Sequence, residues 1–220
     1  MEIGRKPLAV NIVKKYNTYG LKSKAKCVTM IWTLNSEITN LINWALVVDA
    51  VETFNLDRNN FKYQYNEIKK VSVTYTRIIR RYINFIKILN ECIYEGASFN
   101  DEDRVTYRGI HKNILQNIKV GQTFRVINWM CTSESAKNAR QISRHLKGER
   151  VIVICHIKKS CFNAGKLNKL GGSIYEDEKE TLIPPYTVAT LKCRSQKYYV
   201  IEVAKDSESS KVLDMAVSNW

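Results

Sequence analysis

Residues 150–157 read Arg150-Val151-Ile152-Val153-Ile154-Cys155-His156-Ile157. Valine and isoleucine pack well on a pleated backbone and lose side-chain freedom in a helix, so this run predicts a strand. Working outward, Leu182–Leu191 and Tyr198–Val203 follow it as strand candidates, and Val105–Ile110 and Thr123–Cys131 precede it. A polar, alanine-containing stretch after Ser133, Glu134–Leu146, predicts a helix, and Lys158–Ser173 predicts a glycine-rich basic loop. The first half reads differently. In Glu37–Val51 the residues Ile38, Leu41, Ile42, Ala45, Leu46 and Val48 recur at helical spacing, with Asn35 or Ser36 available as a cap. A second helix is expected from about Tyr65 to Tyr94, with Ile78, Ile79, Tyr82, Ile83, Ile86 and Leu89 facing inward and Arg77, Arg80, Arg81 and Lys87 facing solvent. Helices grouped first and strands later predict an α+β fold.

The chain has 220 residues, with 35 Lys+Arg against 21 Asp+Glu, a formal net charge of +14. Its 45% hydrophobic content is that of a globular protein and excludes a disordered basic tail. No uncharged apolar run approaches the ~18–20 residues of a membrane span. A positive excess of this size predicts an acidic partner. The excess is uneven: residues 137–169 hold nine Lys/Arg and one acid, whereas residues 171–220 hold six Lys/Arg and eight acids. The six cysteines include no CxxC pair, and Cys155 and Cys161 around His156 suit no common zinc site, so no metal is expected. The start lacks the apolar core of a secretory signal. The compartment is left open between the cytosol and a secreted form with its signal removed.

Three short segments carry chemistry. The first is Tyr107-Arg108-Gly109, at the end of a predicted strand. The second is Trp129-Met130-Cys131-Thr132-Ser133, which ends a strand and opens a helix. The third is Glu178-Lys179-Glu180-Thr181-Leu182-Ile183-Pro184-Pro185. Alone, each has an ordinary reading: a surface cation, a helix N-cap, a solvated acidic turn. In this order they resemble the Arg–Ser–Glu class of mono-ADP-ribosyltransferases, over roughly residues 104–204. Gly121, Phe124, Ala136 and Ala139 fall at matching flanking positions.

The resemblance implies an ADP-ribosyltransferase-like split β core with a helical N-terminal portion. Residues 1–220 would be a single domain, with 1–98 mainly helical and 99–220 the β-rich portion that binds NAD. It implies NAD as substrate, contacted by Tyr107, Arg108, Gly109, Cys131 and Thr132, with Glu180, Glu178 and Ser133 as catalytic residues. Arg108 would meet the pyrophosphate, and Gly109 would leave room for close backbone approach. Breaking the nicotinamide–ribose bond builds an oxocarbenium-like cation, which Glu180 would stabilise. Residues i and i+2 of an extended segment face one side, so Glu178 would share the cleft. In the class, glutamate at the earlier position accompanies arginine acceptors. Tyr175 is a candidate acceptor contact. Cys131 departs from the class, which has serine there holding the catalytic glutamate. A thiol is a weaker donor, so Cys131 substitutes poorly, or Thr132 or Ser133 takes over, or the glutamate is held otherwise. Secreted members often join residues placed like Cys27 and Cys193 by a disulfide.

The expected activity is therefore transfer of ADP-ribose from NAD to an arginine side chain of a protein. Alternatives are transfer to a nucleic acid, NAD glycohydrolysis, and a non-catalytic binding module. The expected partners are NAD and an acidic macromolecule, a protein placed ahead of a nucleic acid, with no transmembrane segment.

Overall fold

The run around Val153 becomes β4, Arg150–Ile157, the middle strand of a nine-stranded mixed sheet. The computed structural model describes residues 26, 28–32, 37–97, 102–144, 148–159, 161, 164–166, 179–203 and 214–216. Among them the other strands are β1 Arg104–His111, β2 Thr123–Val126, β3 Met130–Ser133, β5 Gly165–Lys166, β6 Glu180–Ile183, β7 Val188–Arg194, β8 Tyr198–Val203 and β9 Asp214–Ala216. Their order across the sheet is β5-β6-β3-β1-β4-β8-β7-β2-β9. β4 pairs along its whole length with antiparallel β1, from Arg104 opposite Ile157 to His111 opposite Arg150, and on its other side with parallel β8. Val151, Val153, Cys155 and Ile157 alternate into a core shared with Ile110, Phe124, Leu191, Tyr199 and Ile201.

The sheet is divided at one place. β1 and β3 share a single register pair, Tyr107 with Ser133, whereas β3 pairs through four residues with β6 on its far side. The expected α+β class and split β core both hold, and the division falls between two of the motif segments.

The described residues form two compact units that meet in sequence at 91/92. The first is helical. α1, Glu37–Thr53, is buried around most of its circumference, and α2 (Lys62–Lys70) and α3 (Tyr75–Ala97) follow. Ala45, Val48, Ile68 and Ile78 form one cluster of its buried residues. The second unit holds the sheet and α4, Ala136–Ser143.

Three expected elements are broken in the structure. The helix from Tyr65 to Tyr94 is two helices, because Val71-Ser72-Val73-Thr74 is largely β-branched and Ser72 takes a left-handed φ of 53°. Thr123–Cys131 is two strands, interrupted at 127–129. Leu182–Leu191 spans a turn: Pro184 and Pro185 have no N–H to give a ladder, and Tyr186 turns the chain at a φ of 64°. The helix after Ser133 is shorter than expected, and its N-cap is Ser135, which accepts from the Asn138 N–H.

Candidate active site

The split brings the three motif segments into one row. Tyr107 on β1 is opposite Ser133 on β3, and Ser133 is opposite Glu180 on β6. Directly paired residues put their side chains on the same face of a sheet. Ser133 and Glu180 are 6% and 7% exposed, so a hydroxyl and a carboxyl lie side by side away from bulk water. The Ser133 Oγ accepts from the Ser135 N–H at 3.0 Å, a local turn that holds the hydroxyl where the strand ends.

Arg108 follows Tyr107, so along β1 it takes the opposite side from Tyr107, the side of the buried Thr106 and Ile110, and it is 5% exposed. Its guanidinium donates to the Cys131 carbonyl at 2.6 Å, bridging β1 to β3 beside the single register pair. Burial pushes its pKa down to about 10, opposed by the negative potentials of Cys131, Cys155 and Glu180. It still carries its proton at neutral pH. A buried cation is thus kept charged within the field of a buried carboxylate.

Other expected site residues fall as follows. Thr132 turns to the opposite side from Ser133, and its hydroxyl donates to the Thr181 carbonyl at 3.0 Å. It locks β3 to β6. Cys131 is half-buried and opposite Leu182, with the Thr132–Thr181 pair between it and the Ser133–Glu180 pair. The space beside Gly109 is taken by α4: a Cβ there would lie 2.1 Å from the Ser143 Cβ. Helix-on-strand packing is thus a reason for this glycine that the sequence did not show. Glu178 and Tyr175 lie outside the described residues. Lys179 between the glutamates has a φ of 43°, so the extended geometry ends at Glu180 and i, i+2 alternation does not place Glu178.

A neighbouring polar group was not anticipated from the sequence. Arg104, four residues before Arg108 on β1, donates to the Thr181 hydroxyl at 3.0 Å and to the Ala164 carbonyl at 3.3 Å. Glu134, next to Ser133, lies 3.7 Å from Arg104 and 3.8 Å from Lys166. These contacts tie β1, the end of β3, β5 and β6 around the row. The signal was the even spacing of Arg104 and Arg108, which puts both on one side of a strand. Cys155, fully buried beside Arg108, has its thiol pushed up to about 12 by burial. Among the described residues Cys92, Cys131, Cys155, Cys161 and Cys193 form no disulfide; Cys27 lies outside them. No cluster of three or more metal-ligating side chains occurs among the described residues.

No family model matches the sequence, and no curated protein does. Solved structures do match. Vis, an ADP-ribosyltransferase from Vibrio splendidus, aligns at a TM-score of 0.57 and 16% identity, over 97% of this chain and 90% of its own. The chain has the ADP-ribosyltransferase fold. The C3 exoenzyme of Clostridium limosum aligns at a TM-score of 0.52 and 12% identity, over 93% of this chain and 95% of its own. Exoenzyme S from Pseudomonas aeruginosa, in a complex with human 14-3-3 protein beta and carba-NAD, aligns at 0.50 and 15%, over 95% and 94%. The resemblance read from the ADP-ribosyltransferase motifs therefore holds at the level of fold.

Proposed function

We propose that this chain is a mono-ADP-ribosyltransferase that moves ADP-ribose from NAD to an arginine side chain of a protein, the 220 residues acting as one catalytic domain. The observation that carries the reading is the row Tyr107–Ser133–Glu180 across the split, with the buried Arg108 guanidinium reaching the β3 backbone from the other side of β1. The donor set suits a dinucleotide. A guanidinium offers planar paired N–H groups to phosphate oxygens, and a carboxylate away from bulk water is a strong electrostatic partner for positive charge. Exoenzyme S, which shares the fold, was solved with carba-NAD.

NAD supplies a nicotinamide leaving group whose departure leaves positive charge on the ribose. Arg108 binds the pyrophosphate and orients it. Glu180 stabilises the developing charge and holds the ribose hydroxyls. Ser133, opposite Glu180 in register, holds that carboxylate, in the place Cys131 leaves unfilled. Tyr107 and the backbone of Cys131, Thr132 and Gly109 line the site. Glu178 orients the acceptor guanidinium and accepts its proton, with Tyr175 as a contact to the incoming protein. Vis has been solved with agmatine, a small guanidino compound, which supports an arginine acceptor here.

The test is NAD labelled in its adenine portion, offered agmatine, a protein mixture, RNA, or water alone. Label on agmatine and on protein, lost in Glu178→Gln while nicotinamide release persists, is the expected result. Label on RNA alone, or release of free ADP-ribose only, would replace the arginine reading.

A further inference from the structure

The segment from α2 to α3 carries charge that the proposed reaction does not use. From Lys62 to Lys87 there are seven Lys/Arg and one acid, Glu67. Glu67 is already paired, 2.5 Å from Lys70. On α3 the residues Arg77, Arg80, Arg81, Asn84, Lys87 and Glu91 recur at three- and four-residue spacing and are all exposed. The opposite side of the helix is occupied by Ile78, Phe85 and Leu89, which are buried. None of the four cations on the exposed face has an ion-pair partner among the described residues. Arg81 rests over the Tyr82 ring at 5.8 Å, which holds its guanidinium to the helix surface.

We infer that this face of α3 docks on the phosphate backbone of a nucleic-acid duplex. The row from Arg77 to Lys87 covers about 15 Å at the helical rise, a length that spans roughly four phosphates of one DNA strand. Two observations favour a duplex over other polyanions. A lipid surface would take an amphipathic helix by its apolar side, but that side of α3 is buried, and Ile83, 38% exposed, lies to one flank of the basic row. A single strand needs aromatic rings for its bases to stack on, and between Arg77 and Lys87 the outward face holds none. On the arginine reading above, the docking also relieves a repulsion. A chain of net charge +14 must approach a cationic side chain, and a duplex bound by both partners screens the one from the other.

The experiment measures binding of the full chain, without NAD, to a fluorescent DNA duplex by anisotropy from about 50 to about 200 mM salt. Wild type is expected to bind with a linear log–log salt dependence. Replacing Arg77, Arg80, Arg81 and Lys87 together by serine should reduce the slope by about 3 to 4 and weaken binding at least about tenfold at the low-salt end. Replacing the three arginines by lysine should keep most of the affinity. Thermal melting of each variant confirms that the helical unit is folded. Unchanged duplex binding by the folded serine variant would overturn the inference. So would tighter binding to a single strand, to vesicles containing phosphatidylserine, or to an acidic peptide than to the duplex. Because no NAD is present, these outcomes are separate from failure of the transferase reading.

Discussion

Arg108 is costly where it sits. The fall of its pKa from 12.5 to about 10 is, by linkage, a penalty on the order of 3 kcal/mol for holding the charged form in the fold. A residue kept for stability would not be placed so. Arg108→Met should therefore leave the melting temperature unchanged or raised while NAD binding is lost, as seen by calorimetry; a large fall in melting temperature would assign Arg108 a structural role instead. Cys155 beside it gives a pH prediction. Its folded pKa, about 12, is above the ordinary thiol value of 9.0, so its contribution is complete below pH 9 and declines as pH rises toward 12. Urea midpoints should fall above about pH 9, and Cys155→Ala should fall less steeply. At this scale the sequence was legible where chemistry forces residue type: Arg108, Ser133 and Glu180 were all named, and they lie on β1, β3 and β6, strands that pair in turn. It was not legible where a residue's reason depends on a distant neighbour. The packing of Gly109 against Ser143 of α4 is such a case.

That contact belongs to the elements. β1 can lie against α4 because Gly109 has no Cβ at the crossing. Gly109→Ala should destabilise the sheet unit by about 1–3 kcal/mol, and Ser143→Gly in the same chain should recover much of it. Chemical denaturation of the two single variants and the double variant would measure this; additive losses would contradict the packing account. The strands and helices themselves were readable from β-branched runs and helical spacing, because both follow from local chain preference. The breaks were less so. Pro184-Pro185 ends β6 visibly in the sequence, but the interruption at 127–129 follows from partners across the sheet: the Val126 N–H bonds the Thr187 carbonyl and its carbonyl accepts from Tyr186. Lys179, left-handed between two glutamates, is of the same kind.

For the molecule as a whole, strand order could not be read from strand content. Nothing in residues 104–111 states that β1 lies between β3 and β4, or that β8 runs parallel to β4; those pairings are set by contacts far apart in the chain. The net charge was legible as a number and not as a place. Part of it lies on the exposed α3 face, and Arg108 lies within the sheet unit. No described helix is long and apolar enough to cross a membrane.

The central claim is that one carboxylate in the row across the split drives cleavage of NAD. Glu180→Gln tests it with little change of volume. Single-turnover measurement should show NAD binding retained and the rate of nicotinamide release reduced by about 10²–10³-fold. A Glu180→Gln chain that releases nicotinamide at the wild-type rate would contradict the account.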